Sequence, residues 1–285
     1  MFTIERAVPE DFDRIYPQLQ TFGGPFTRED WRKIFVPPWK SPEDFCGYVL
    51  LRDGEVKGYL GLIFSSRVIG GRIEKFCNLT SWIVSDDARS KSLPMLLEVL
   101  KLKDYTITNF TASPTVAVIM RPLGFTELDV HQQVLFPVPG LGLGAWRCAC
   151  EFDPERIRSL LSEDDRRIFD DHQQLGCEHL LLRSMTGYAY LVLKRTRRKN
   201  LPFLKVHHLS DPRVFVECAE RLMPRICVRR RVWGLMVDER YLGGHRFRAA
   251  YRYLHDHKGY FKPASDALDR SQIDTIYSEL VILHD

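Results

Sequence analysis

Between Val84 and Leu93 the chain reads Ser85-Asp-Asp-Ala-Arg89-Ser90-Lys91-Ser92, a polar turn set between an apolar strand-like run and an apolar helical one. A turn at the positive end of a helix points backbone N–H groups at an anion. Ser90 and Ser92 add hydroxyl donors, and Arg89 and Lys91 bring counter-charge for a phosphate. Pro94 has no N–H, but it suits the first turn of a helix, where that group lacks a helical partner. The same residues also suit a plain serine-capped turn with solvated cations. Upstream, Glu74, Asn78, Thr80 and Trp82 fall on one face of a strand by two-residue alternation. There Glu74 is placed to accept a proton, and Asn78 or Thr80 to hold a water; for Glu74 a polar strand end facing solvent is the plainer account. Further on, Lys194-Arg-Thr-Arg-Arg-Lys199 and Arg229-Arg-Arg231 concentrate positive charge. Arginine forks bind carboxylate or phosphate in two places at once, which makes Arg195, Arg197, Arg198 and Arg230 candidate contacts for an anionic substrate.

Regular elements must hold these groups. Phe2 to Val8 alternates as a strand, and an acidic first turn from Pro9 opens a helix with Phe12, Ile15 and Leu19 at helical spacing. Thr27 is the expected N-cap of a second helix. Gly47–Arg52 and Val56–Ser65 are strands joined by Asp53-Gly54, and Gly70-Gly71 turns the chain into a long strand over 72–84. Leu93–Lys103 is expected as a helix, Tyr105–Ala112 as a strand, Thr115–Leu123 as a helix and Leu128–Val138 as a strand. A faint echo comes after these elements, with strands over 180–193 and 203–209, a helix from Asp211-Pro212 to Leu222, a strand over 228–237 and a last strand at 278–283. Its period, near 130 residues, predicts a duplicated unit.

The order strand, polar turn, helix, strand, short helix ending in Gly124-Phe125 resembles the GCN5-related N-acetyltransferases. The resemblance implies an α+β (mixed α/β) fold, with a central, mainly antiparallel mixed sheet flanked by helices, here duplicated. It divides the chain into a coenzyme-binding domain at 1–138, a linker at 139–150 and a degenerate second domain at 151–285. It implies acetyl-CoA, or another acyl-CoA, as co-substrate and no metal. Trp82, Ile83 and Val84 would line the pantetheine arm, Arg89 to Leu93 would meet the pyrophosphate, and Ser113 stands where the family often has Asn. Met120 stands where the family has a Tyr that protonates the departing thiolate, and Met has no proton to give. A protonated amine cannot attack a thioester, so a base is needed, with Glu74 and Asn78 as the candidates. Trp31 and Trp39 lie where the family builds its acceptor pocket, although core packing is the plainer account. The implied reaction is direct transfer to an amine on a small molecule or peptide. The alternative is a non-catalytic descendant that keeps the fold and binds a ligand or partner.

Composition limits the remaining classes. The 285 residues are 45% hydrophobic and 27% charged, an ordinary globular balance. No apolar run is long enough for a membrane span, and no signal peptide is visible, so a cytoplasmic protein is expected. Seven irregularly spaced cysteines read as free buried thiols. The net charge is +4, and residues 183–252 alone carry 17 basic and 5 acidic side chains. This favours an anionic acceptor over nucleic acid and leaves a homo-oligomer open. Gly140-Leu-Gly-Leu-Gly144 lacks a βαβ context and reads as linker. His207-His208 and His255-Asp-His257 lack the shared face that metal ligation requires.

Overall fold

The computed structural model describes residues 1–128, 131–138, 147–254, 258–265 and 268–283. The Gly140–Gly144 loop, most of the expected linker, and His255 and His257 lie outside the described residues. The chain forms two compact units, Met1–Leu128 with Gly259–Leu268 and Tyr277–Asp285, and Asp129–Lys258 with Asp269–Ile276.

The first unit begins with β1 (Phe2–Ala7), α1 (Phe12–Gln20) and α2 (Arg28–Phe35). Thr27 caps α2 as expected, accepting from the Asp30 N–H while Asp30 returns a bond to the Thr27 backbone. Strands β2 (Gly47–Arg52), β3 (Glu55–Ile69) and β4 (Arg72–Val84) form an antiparallel meander. Asp53 and Gly54 take φ of 51° and 89°, the left-handed pair that matches strand twist in a two-residue hairpin. Next come α3 (Ser92–Val99), β5 (Tyr105–Ala112), α4 (Pro114–Met120) and β6 (Thr126–Glu127). One face of this sheet packs Leu50, Leu60, Leu62, Cys77 and Leu79 against Met95, Leu96 and Val99 of α3.

The second unit repeats the sequence of elements: β8 (Ala149–Glu151), α5 (Pro154–Leu160), α6 (Glu163–His172), β9 (Glu178–Arg183), β10 (Tyr188–Arg198), β11 (Leu201–Leu209), α7 (Pro212–Arg230), β12 (Leu235–Asp238) and β13 (Ala250–Leu254). Helix α7 runs through Pro224 to Arg230, where a strand starting at 228 was expected. Its Val214, Cys218, Leu222 and Ile226 pack into the sheet, and this helical burial overrides the β-branched and arginine-rich local signal.

Two strands cross over. β7 (His131–Leu135) pairs with β12 and β13, and β14 (Lys258–Lys262) pairs with β6. The first sheet therefore runs β1-β2-β3-β4-β5-β14-β6 and the second β13-β7-β12-β11-β10-β9-β8, seven strands each among the described residues. The expected boundary at 138 thus differs from the observed division at Leu128. Alternation identifies a strand near 131–135, but it carries no information about which sheet accepts it. The tail ends in α8 (Glu279–Ile282), a short helix where a strand was expected, and its Val281 and Ile282 are fully buried.

Candidate active site

Strands β4 and β5 run parallel and pair from Lys75↔Tyr105 to Asn78↔Thr108. Beyond that point β4 continues to Val84 and β5 to Ala112 without pairing to each other. The cause lies in β4. Its register with β3 slips between Gly61↔Thr80 and Tyr59↔Ile83, and Ser81 takes φ of 51°. This is a β-bulge, which bends its strand and increases local twist. The result is an opening bordered by unpaired strand edges, a place where an extended ligand gains main-chain hydrogen bonds.

The bulge also reverses the facing of the residues after Ser81. Trp82 and Val84 pack against the Leu62–Met95 core cluster. The uniform alternation that put Trp82 beside Asn78 and Glu74 therefore ends at Ser81. The Trp82 indole N–H is buried without a hydrogen-bond partner, an unmet donor on the strand that borders the opening.

At the apex sits a carboxylate that sequence reasoning missed. Glu279 accepts from the Asn78 amide at 2.5 Å and from the Thr111 hydroxyl at 2.8 Å. The Thr108 hydroxyl donates to the Asn78 carbonyl oxygen at 3.1 Å, completing a buried network across the last paired rung. Burial pushes the Glu279 carboxyl above its ordinary range, and the bonds from Thr111 and Asn78 only partly oppose this. A carboxylate whose proton affinity is raised in this way is a stronger base than an exposed one. Glu74 lies four residues before Asn78, about 13 Å along the strand at ~3.3 Å per residue. The structure thus brings Asn78 to the apex and leaves Glu74 at the far end of β4.

The polar turn is a 3-10 helix over Asp86–Lys91 leading directly into α3. No side chain caps the start of α3, and the Ser92 N–H, the first of the helix, donates to the Arg89 carbonyl of the 3-10 turn. Arg89 pairs with Asp86 at 2.8 Å, and Asp87 draws Arg52 to 3.5 Å and Lys57 to 3.9 Å. Ser90, Lys91 and Leu93 are exposed, while Ser92, Ile83 and Val84 are half-buried. Ser113 caps α4, its hydroxyl oxygen accepting from the Val116 N–H at 3.3 Å. Met120 is fully buried in the core cluster, away from any proton-transfer role.

Of the two acceptor-pocket tryptophans, Trp31 is core, stacked on Phe22 and edge-on to Phe26. Trp39 donates to the Phe64 carbonyl at 2.9 Å and meets the Tyr277 ring edge-on. It also lines a cavity of about 190 Å³ together with Glu43, Asp44 and Phe45.

The second unit opens in the same place and is closed differently. β11 and β12 pair only at Leu204↔Leu235 and Lys205↔Met236. Beyond these rungs the unit's own tail segment bonds to β11. The Thr275 N–H donates to the His207 carbonyl at 3.3 Å, the His207 ring meets the Thr275 hydroxyl, and His208 meets Asp274 at 2.8 Å. Arg240, after β12, donates to the Ile273 carbonyl at 2.8 Å. The start of α7 is claimed by Asp211, whose carboxylate accepts from the Arg213 and Val214 N–H groups.

The basic clusters do not form one anion-binding face. Arg195 and Arg230 both pair with Glu178, at 2.6 and 3.1 Å. Arg198 lies over the Tyr253 ring at 3.3 Å. Arg197 is exposed on the face of β10 opposite Arg198, as strand alternation requires.

Solved structures share this architecture. A GCN5-related N-acetyltransferase from Kribbella flavida superimposes with a TM-score of 0.59 at 14% identity, over 92% of this chain and 71% of that one. The chain has the GCN5-related N-acetyltransferase fold. A second such protein, from Anabaena variabilis, matches with a TM-score of 0.57 at 10% identity, over 93% of this chain and 73% of that one. A putative acetyltransferase from Pyrococcus horikoshii matches with a TM-score of 0.53 at 15% identity, over 100% of this chain and 96% of that one. No protein-family model matches the sequence, and no curated protein does. Among the described residues no helix is long and apolar enough to cross a membrane, and no group of three metal-ligating side chains occurs.

Proposed function

We propose that the first unit transfers an acyl group from an acyl-CoA, most simply acetyl-CoA, to an amine, with Glu279 as the proton acceptor. The observation that carries this reading is the buried Glu279 at the apex of the β4–β5 opening, held by Asn78 and Thr111. The pantetheine arm would lie along the unpaired edges of β4 and β5, with the unmet Trp82 N–H beside it. The pyrophosphate would meet the uncapped start of α3, near Ser90, Lys91 and Ser92. The acceptor ammonium gives its proton to the Glu279 carboxylate, and the neutral nitrogen attacks the thioester carbonyl. The tetrahedral adduct loses its remaining nitrogen proton to water and collapses, breaking the C–S bond, and the departing thiolate takes a proton from water, since Met120 offers none. Glu43 and Asp44 beside Trp39 suit a cationic amine in the small cavity. The acceptor would be a small molecule or peptide amine. Free thiols at all seven cysteines fit a cytoplasmic setting.

The test is release of free coenzyme A thiol from acetyl-CoA in the presence of an amine panel, with calorimetry of acetyl-CoA binding in parallel. Binding without thiol release from any amine would overturn the catalytic assignment. That outcome would support the second reading, a ligand-binding descendant, which the buried Met120 and the Asp86–Arg89 pair in the turn favour. Absence of binding by any acyl-CoA would overturn both.

A further inference from the structure

Cys148 and Cys218 hold their sulfur atoms 2.8 Å apart in the second unit. Cys148 immediately precedes β8, and Cys218 lies on the buried face of α7. Both belong to that unit's hydrophobic core, with Cys218 fully buried and Cys148 8% exposed. Ordinary contacts between unbonded heavy atoms fall near 3.5–4 Å, whereas a disulfide bond is about 2.05 Å. The pair is therefore most of the way from contact to bond, and closure needs a shift of less than about 1 Å. The two positions are 70 residues apart in sequence, so only the fold brings them together.

The two thiols have different surroundings. The Arg221 guanidinium lies 4.0 Å from the Cys148 sulfur. Burial pushes the Cys218 thiol far up, and its S–H also reaches the Arg183 carbonyl at 3.6 Å. Cys148 is the group an oxidant reaches and Cys218 the one that resolves the product.

We propose that Cys148 and Cys218 form a reversible internal disulfide when the protein meets a peroxide-class oxidant. The Cys148 thiolate attacks one peroxide oxygen, the O–O bond breaks, and a sulfenic acid and water form. The Cys218 sulfur then attacks the Cys148 sulfur, the S–O bond breaks, and a second water leaves with the Cys218 proton. Sulfur is oxidised by two electrons in total and one peroxide is reduced to two waters. The product ties the residue just before β8 to α7. Because it closes a long loop in the unfolded chain, the oxidised protein resists unfolding better than the reduced one.

The experiment treats the full chain with hydrogen peroxide, blocks remaining thiols under denaturing conditions and maps peptides without reductant. The expected result is a cross-linked Cys148–Cys218 peptide pair, with the other cysteines alkylated. It should be accompanied by a rise in Tm of several degrees that dithiothreitol reverses. Cys148→Ser should abolish both; if that variant does not fold, Cys218→Ala on α7 serves the same purpose. Full alkylation of both cysteines after peroxide would overturn the proposal. So would Cys148 recovered as a sulfinic acid, or Cys148 paired with Cys150.

Discussion

Both sheets open where a parallel strand pair stops pairing, and they put opposite chemistry there. In the first, pairing stops at Asn78↔Thr108 and the apex holds a buried carboxylate, Glu279. In the second, pairing stops at Lys205↔Met236 and the chain's own residues 273–276 lie across the opening, bonded to His207, His208 and Arg240. The helix starts differ likewise. No side chain caps α3, whereas Asp211 already occupies the anion-binding end of α7. One fold therefore yields one opening suited to a ligand and one satisfied internally, and side-chain chemistry at a few positions makes the difference.

The largest effect expected from this contrast is on turnover. Glu279→Gln keeps the shape and removes the proton acceptor, so acyl transfer should fall about 100- to 10,000-fold while acetyl-CoA affinity stays within a few-fold. Assay of the variant with the best amine decides it, and a loss under threefold would return the base to another group. The pH dependence sharpens the point. Folded Glu279 keeps a proton that the unfolded chain releases above about 4.5. Wild-type stability from this group therefore declines as pH rises through the folded value, and Glu279→Gln should remove that decline. Activity has the opposite slope, rising as the carboxylate forms.

Acid should strike the second unit instead. Burial holds His172 and His179 down at about 4, so both stay neutral in the fold. Unfolded histidines bind protons below about 6.5. Stability from these groups is full above that value and is lost as pH falls from 6.5 toward 4, in total on the order of a few kcal/mol. His208 acts oppositely. Burial works against its charged form, but Asp165 and Asp274 outweigh it and raise the ring's pKa. Its contribution is present below the unfolded value and fades as pH rises through the folded one. Urea titrations of the wild type and of His172→Asn between pH 4 and 7 test this, with a flatter profile expected for the variant. An unchanged profile would mean that other groups carry the acid sensitivity.

How much of this was legible in the sequence depends on the range of the forces involved. Local signals succeeded. The Asp53-Gly54 turn, the Thr27 cap, the Asp211-Pro212 helix start and strand β5 are where hairpin chemistry and capping put them. The fold order was readable as well, because each element buries one face. Long-range partners were not. Glu279 lies 201 residues from Asn78, and nothing local marks a carboxylate in Ser-Glu-Leu-Val as a buried acid. The exchange of β7 and β14 is equally silent, since both strands show ordinary alternation. The arginine clusters misled because charge counts carry no direction, and Glu178 neutralises two of their members.

The smallest effects separate the two helix starts. Ser92→Asp places a negative charge where the pyrophosphate is proposed to sit. It should weaken acetyl-CoA binding about tenfold, equivalent to ~1.4 kcal/mol of repulsion in a partly hydrated site. Asp211→Ala removes the cap of α7, and it should cost about 1 kcal/mol of stability while leaving acetyl-CoA affinity unchanged. Calorimetric titration and chemical denaturation of both variants give four numbers. The expected pattern is affinity lost in the first and stability lost in the second. If Asp211→Ala instead gained a second bound acetyl-CoA, the tail segment across β11 would not be what closes that opening, and Asp211 alone would account for the difference between the units. If Ser92→Asp left affinity intact, the pyrophosphate would have to meet some other donor group, and the uncapped start of α3 would have no part in binding.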